Sequence, residues 1–128
     1  MAFLLDTHAL LWFLEESPRL SVTAREITTQ SDAAVYVSIV SAWEIALKMS
    51  VGKLTLRMPL SELFRDYFNA EAFVLLPIGP DHLCRFVELP RHHGDPFDRL
   101  IAAQALNEDF TLVSCDAAFD AYGVRRLW

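Results

Sequence analysis

Glycine and cysteine are scarce in this sequence, and basic residues are outnumbered. There are only four glycines in 128 residues, no tract rich in Ser or Pro and no internal repeat, so neither a flexible linker nor a repeat array is expected. One compact domain over residues 1–128 is the expectation. The two cysteines, Cys84 and Cys115, lack any CxxC or Cys/His spacing, which argues against a zinc site and a disulfide framework and leaves two reduced thiols. Acids outnumber Lys and Arg 17 to 11 for a net charge of −6, so the general positive potential of a typical nucleic-acid binder is missing. Contact with a polyanion must then be local, or helped by a partner or a metal. No run reaches the roughly 18 uncharged apolar residues of a membrane span. The opening MAFLLDTHALLWFLEE has no basic start and carries Asp6 and His8, so it reads as mature structure rather than a signal peptide. A soluble, cytoplasmic protein with no membrane partner is expected.

What the chain does have is apolar material, 53% of its residues, enough for one sizeable core. Short apolar runs predict strands over Ala2–Leu5, Val35–Ser38, Phe73–Leu76, Thr111–Ser114 and Val124–Leu127. Helical patterns fall between them at Thr7–Leu14, Val22–Gln30, Ile39–Ser50, Leu60–Ala70, Asp81–Val87 and Pro96–Asn107. Strands separated by helices predict parallel pairing, and near-continuous apolar strands need cover on both faces. The fold class is therefore α/β, a three-layer α/β/α sandwich around a parallel sheet of about five strands.

In such a sheet ligands bind in the crevice beyond the carboxyl ends of the strands. Asp6 directly follows the first strand, Asp116 comes just after the fourth, and Glu44 sits about two turns into the helix after the second. Asp98 opens the helix that precedes the fourth strand. Each acid also has a local explanation: Asp6 and Asp116 suit N-caps, Ser41-x-x-Glu44 matches a capping box, and Asp95-Pro96-Phe97-Asp98 places an N-cap, a first-turn proline and an N3 acid in order. Capping does not account for the apolar surroundings of Glu44 and Asp6, where an unpaired charge is costly. A divalent cation answers that cost, because Mg²⁺ prefers hard oxygen donors and is held by a few carboxylates with water and substrate phosphate. Such an ion suits hydrolysis of a phosphodiester.

Four blocks of sequence resemble the PIN-domain nucleases, and within them the VapC-type toxins of type II toxin–antitoxin systems. They are Leu4-Leu5-Asp6-Thr7-His8-Ala9-Leu10-Leu11-Trp12, Ser38 to Lys48 with Ala42-Trp43-Glu44-Ile45 at its centre, His93 to Ala105 with Asp95-Pro96-Phe97-Asp98-Arg99, and Leu112 to Phe119 with Ser114-Cys115-Asp116. The resemblance covers essentially the whole chain. It implies that Asp6, Glu44, Asp98 and Asp116 are the catalytic and metal-binding quartet, Asp6 and Asp98 foremost, and that Mg²⁺ serves, with Mn²⁺ able to replace it. It further implies an endoribonuclease cutting transfer or ribosomal RNA, a homodimer, and a cognate antitoxin whose tail crosses the site, often with a basic side chain among the acids. Cys115 departs from the usual pattern, which has a polar or charged residue before the last acid.

Around the quartet, Asp95, Thr7, Ser114, Arg99 and His93 are secondary candidates. Asp95 suits an N-cap better than a fifth acid, and Thr7 and Ser114 can serve a carboxylate or local backbone groups. Arg99 and Lys48 suit a phosphate or a structural ion pair about equally. His92 and His93 read as loop histidines near RNA or an acid, while Trp12, Trp43 and Phe97 favour core packing over base stacking. Three rival functions use similar residues: a DNA nuclease, a phospho-acceptor domain and an inactive acidic binding module. The first generally needs duplex-binding additions, the second an acceptor Asp directly after the third strand, and the third, whose acids would dock a basic peptide, is disfavoured by the retention of all four acids.

Overall fold

A computed structural model of the protein describes residues 1–30, 32–69, 72–91 and 94–128. Strands β1 (Ala2–Leu5), β2 (Ala34–Ser38), β3 (Val74–Leu76), β4 (Thr111–Val113) and β5 (Arg126–Leu127) form one sheet in the order β3-β2-β1-β4-β5. Every pairing is parallel, with Leu4 opposite Tyr36 on one side and Leu112 on the other. The helices are α1 (Thr7–Leu14), α2 (Val22–Thr29), α3 (Ile39–Ser50), α4 (Leu60–Asp66), α5 (Pro80–Glu88) and α6 (Pro96–Glu108), followed by a 3-10 turn at Ala117–Tyr122.

The period-two alternation of strand side chains builds the three layers. Phe3, Leu5, Val35, Val37 and Val113 face one way and pack with Leu10 of α1, Ala24 and Ile27 of α2, and Phe73. Leu4 and Leu112 face the other way, against Ile101, Ala102 and Ala105 of α6 and Leu89 beyond α5. Leu4, Leu5, Leu10, Ile101 and Leu112 are completely buried, and each contributes roughly 1.5–3 kcal/mol of apolar burial. Cover on both faces is why the strands read as unbroken apolar runs.

Several boundaries differ from expectation. Helix α4 stops at Asp66 instead of reaching Ala70, a residue outside the described set, because the Phe73 N–H donates to the Tyr67 carbonyl at 2.9 Å and turns the chain. Tyr67 and Phe68 still pack on the core without being helical. That same bond removes Phe73 from the ladder, so β3 begins one residue late. Strand β5 is only two residues long; Gly123, with φ of 79°, closes the 3-10 turn just before it. The capping box expected at Ser41 is not formed. Ser38 caps α3, its Oγ accepting from Val40 N at 3.0 Å, which leaves Ser41 inside the helix. No helix among the described residues is long and apolar enough to cross a membrane.

Strand β1 is central, and the chain continues to β2 on one side and much later to β4 on the other. This is a topological switch point, and the crevice beyond the carboxyl ends of β1 and β4 is the natural ligand position.

Candidate active site

Asp6 occupies that crevice because β1 ends one residue earlier, with Asp6 N donating to Val113 O of β4 at 3.1 Å. Its Oδ1 caps α1 by accepting from Ala9 N at 2.7 Å, so the capping expectation holds, yet the residue is only 4% exposed. Burial pushes its pKa above the ordinary aspartate value, and the nearby charge of Asp116 adds to the rise. Hydrogen bonds from Ser114 and Ala9 and the charge of His8 act against it. Ser114, completely buried, ties two acids together: its hydroxyl bonds the Asp6 carboxylate while its Oγ accepts from Asp116 N at 3.0 Å. Asp116 is half-buried and caps the 3-10 turn through Ala118 N at 2.9 Å.

Thr7, next to Asp6, links the end of β1 to helix α3. Its buried hydroxyl donates to Ser41 Oγ of α3 at 3.0 Å. Glu44 follows Ser41 by three residues and so lies on the same face of α3. It is 4% exposed; Lys48 Nζ holds Oε2 at 2.9 Å, while Oε1 has no hydrogen-bond partner among the described residues. A buried carboxylate oxygen without a partner carries a desolvation penalty of about 1–3 kcal/mol or more.

Asp98 is carried by a helix start and not by a strand end. It stands in the first turn of α6, three and four residues before Ile101 and Ala102, on the stripe that faces the sheet. Farther along the same helix Gln104 meets Ser38 at the carboxyl end of β2, so Asp98 lies about 9 Å beyond that level, clear of the strands. The edge of Phe97 against Trp43, with ring centroids 4.9 Å apart, packs this end of α6 on α3. Trp43 is nonetheless 57% exposed, which corrects its expected place in the core. Trp12 does pack, against His8 and Trp128.

The secondary candidates separate. Ser114 bonds Asp6 and the backbone of Asp116, whereas Thr7 bonds Ser41 of α3. Asp95 caps α6 through Phe97 N and Asp98 N. Arg99 turns away: its guanidinium lies over the Phe86 ring and donates to Pro90 O at 2.9 Å and Phe86 O at 3.3 Å, so it braces the end of α5 rather than an acid or a phosphate. His92 and His93 lie outside the described residues. Both cysteines are free and exposed; partial burial and the charges of Asp6 and Asp116 push the Cys115 thiol upward, which disfavours its thiolate. Sequence reasoning missed Arg126, which forks Asp120 and donates to Ser114 O at 3.0 Å, bringing a cation to the backbone between the two clustered acids. It also missed Ser41 and Gln104, whose partners are too distant in sequence for any spacing to signal.

Among the described residues no three acidic, histidine or cysteine side chains form a finished ligand group. Asp6 and Asp116 each have an oxygen on a helix cap, and Glu44 is engaged by Lys48. A Mg²⁺ site asks for only one or two direct carboxylates, with water and substrate oxygens completing the octahedron. The all-oxygen donor set, the unpartnered Glu44 Oε1 and the buried Asp6 beside Asp116 fit that requirement.

A model of the PIN domain matches residues 3–124. Ribonuclease VapC22 of Mycobacterium tuberculosis is 32% identical over 114 residues, spanning 88% of this chain and 85% of that protein. VapBC2 from Rickettsia felis, solved with a DNA fragment from its promoter, superposes with a TM-score of 0.75 at 14% identity, covering 100% of this chain and 99% of that one. FitAcB from Neisseria gonorrhoeae gives 0.69 at 20% identity, covering 98% and 96%. VapBC-1 of nontypeable Haemophilus influenzae gives 0.69 at 15%, covering 99% and 97%. At these identities the solved structures speak for the fold, and the family rests on the domain match and the mycobacterial relative. The four sequence blocks, the all-parallel sheet and these matches agree: the chain belongs to the PIN-domain family, in its VapC-type branch.

Proposed function

We propose that this chain is an Mg²⁺-dependent endoribonuclease, the toxin of a VapBC-like type II pair, and that Asp6, Glu44, Asp98 and Asp116 hold the ion. The observation that carries the reading is the excess of buried negative charge at one edge of the sheet: Asp6 is held above its ordinary pKa by burial, and Glu44 Oε1 has no partner among the described residues. The relative named a ribonuclease supports the activity, and structural neighbours solved as VapBC complexes support an antitoxin partner.

When bound, Mg²⁺ or Mn²⁺ supplies positive charge that acidifies water and stabilises the developing charge at phosphorus. The chain's own residues prepare for it. Ala9 N and Ser114 Oγ lock the Asp6 carboxylate in one rotamer, and Ser114 sets the backbone that carries Asp116. Lys48 fixes one oxygen of Glu44 and leaves the other available. Fixing donors before substrate arrives removes reorganisation from the reaction.

The substrate in this reading is a transfer or ribosomal RNA, cut by a cytoplasmic homodimer of one domain per chain. An antitoxin tail with a basic side chain silences it by satisfying the same acids. The test is cleavage of total cellular RNA by the purified chain with Mg²⁺, with Mn²⁺ and with EDTA, beside Asp98→Asn. Discrete fragments that require metal and vanish in the variant are expected. Cleavage that persists in EDTA, or equally in the variant, overturns the reading.

A further inference from the structure

The two helices that carry Glu44 and Asp98 are joined by one buried side chain. Gln104 of α6 and Ser38 at the end of β2 are both completely buried and bonded to each other. The direction of this bond follows from its neighbours. Ser38 Oγ already accepts from Val40 N, so its own proton goes to Gln104 Oε1. The amide is thereby oriented, and Nε2 donates to Pro77 O, just past β3, at 3.2 Å. His82 continues the chain: Nδ1 accepts from Gly79 N at 2.9 Å and lies 3.4 Å from Gln104 Nε2, so Nε2–H faces Glu108 Oε1 at 2.9 Å. One amide thus connects the ends of β2 and β3, the start of α3 and the middle of α6.

Its position relative to the acids is telling. Asp98 lies six residues from Gln104 along α6, and Glu44 lies six residues from Ser38 along α3. Each acid therefore stands about 9 Å from the junction. A tilt of either helix by about 5° at that point moves its acid by about 0.8 Å, given the rise per residue. Misplacement of about 1 Å costs on the order of 10²-fold in rate where reaction depends on fixed geometry.

We propose that Gln104, with Ser38, is a positioning residue: it is the pivot that sets the separation of Glu44 and Asp98, and with it metal binding and turnover. This rests on the nuclease reading above. It goes beyond a packing role, because a residue that only stabilises the core would lower the melting temperature without altering the metal response of the folded protein.

The experiment compares wild type, Gln104→Met, Ser38→Ala and Leu20→Ala, the last removing a buried side chain from the opposite face of the sheet as a stability control. Activity is measured well below every melting temperature, together with the rise in melting temperature that Mg²⁺ alone produces. Gln104→Met is expected to lose roughly 10- to 100-fold in kcat with KM within about threefold, and most of the Mg²⁺-induced stabilisation. Ser38→Ala, which removes the bond to Gln104 and the α3 cap to Val40 N, shows a smaller loss in both and serves if Gln104→Met does not fold. Leu20→Ala keeps both readouts. If wild type cuts RNA and responds to Mg²⁺ while Gln104→Met or, should that not fold, Ser38→Ala behaves like Leu20→Ala, the pivot is overturned and the nuclease survives. A wild type that neither cuts nor responds overturns both.

Discussion

The two edges of the sheet differ in how much polar material they bury. At the carboxyl edge the buried groups are polar: Asp6, Thr7, Ser38, Ser41, Glu44, Gln104 and Ser114 are all shielded from water. At the amino edge of β2 and β3 an open pocket of about 520 Å³ is lined by apolar Phe13, Val35, Phe73 and Val74 together with Thr28, Thr29, Gln30 and Asp32, and Thr111 is the one buried polar residue at the start of β4. Buried polar groups are costly unless paired, and here the cost is concentrated where strands end and helices begin. Buried polar groups are thus concentrated at one level of the strand axis, a few residues from strand positions that bury only apolar side chains.

The sharpest way to break this contrast is to substitute across it. Asp98→Asn or Asp6→Asn is expected to lower RNA cleavage by about 10³-fold or more, with the fold intact by circular dichroism; retained cleavage would remove the carboxyl edge from the chemistry. Phe73→Ala at the other edge is expected to cost about 3–5 kcal/mol in denaturant unfolding. Its kcat at low temperature should stay near wild type, and a parallel loss of activity would show that the edges are coupled.

A finer test uses the strain of the charged site itself. Because burial raises the Asp6 pKa in the folded state, the fold favours the protonated acid. The stabilisation that protonation brings is complete below the unfolded aspartate value and is lost as pH rises through the raised folded value. Asp6→Asn, which keeps an oxygen for Ala9 N, should therefore stabilise the metal-free protein at neutral pH, while abolishing activity. The advantage should vanish at a pH below the ordinary aspartate range, and a thermal melt series across pH reads it directly. The smallest effect is expected from Lys48→Met, which strips Glu44 of its partly exposed cation: about 0.5 kcal/mol less stability without metal, recovered when Mg²⁺ is added. No recovery would argue that Lys48, not an ion, is the lasting partner of Glu44.

The same contrast explains what the sequence disclosed. Layers and strand positions were legible because β1, β2 and β4 are apolar on both faces and bounded by acids or serines. Asp6, Asp95 and Asp116 were correctly read as caps, since capping depends on residues two or three positions away. Local pattern misled at Ser41, where the S-x-x-E spacing is present but Ser38 captures the helix start. It misled again at α4, where Tyr67 and Phe68 keep a helical apolar spacing after the helix has ended. The Thr7–Ser41 and Ser38–Gln104 bonds span 34 and 66 residues, so no window of sequence contains both partners. Arg99 could not be separated from a phosphate ligand until its carbonyl partners were seen.

The strand order also fixes when the acidic crevice can exist. Leu4 pairs with Leu112, and Asp6 N takes its acceptor from Val113, so the first strand waits for a partner more than a hundred residues later. Such pairing carries a large loop-closure entropy and is slow to nucleate. Asp6 therefore stays apart from Ser114 and Asp116 until β4 has paired, and the acidic crevice forms only with that long-range contact.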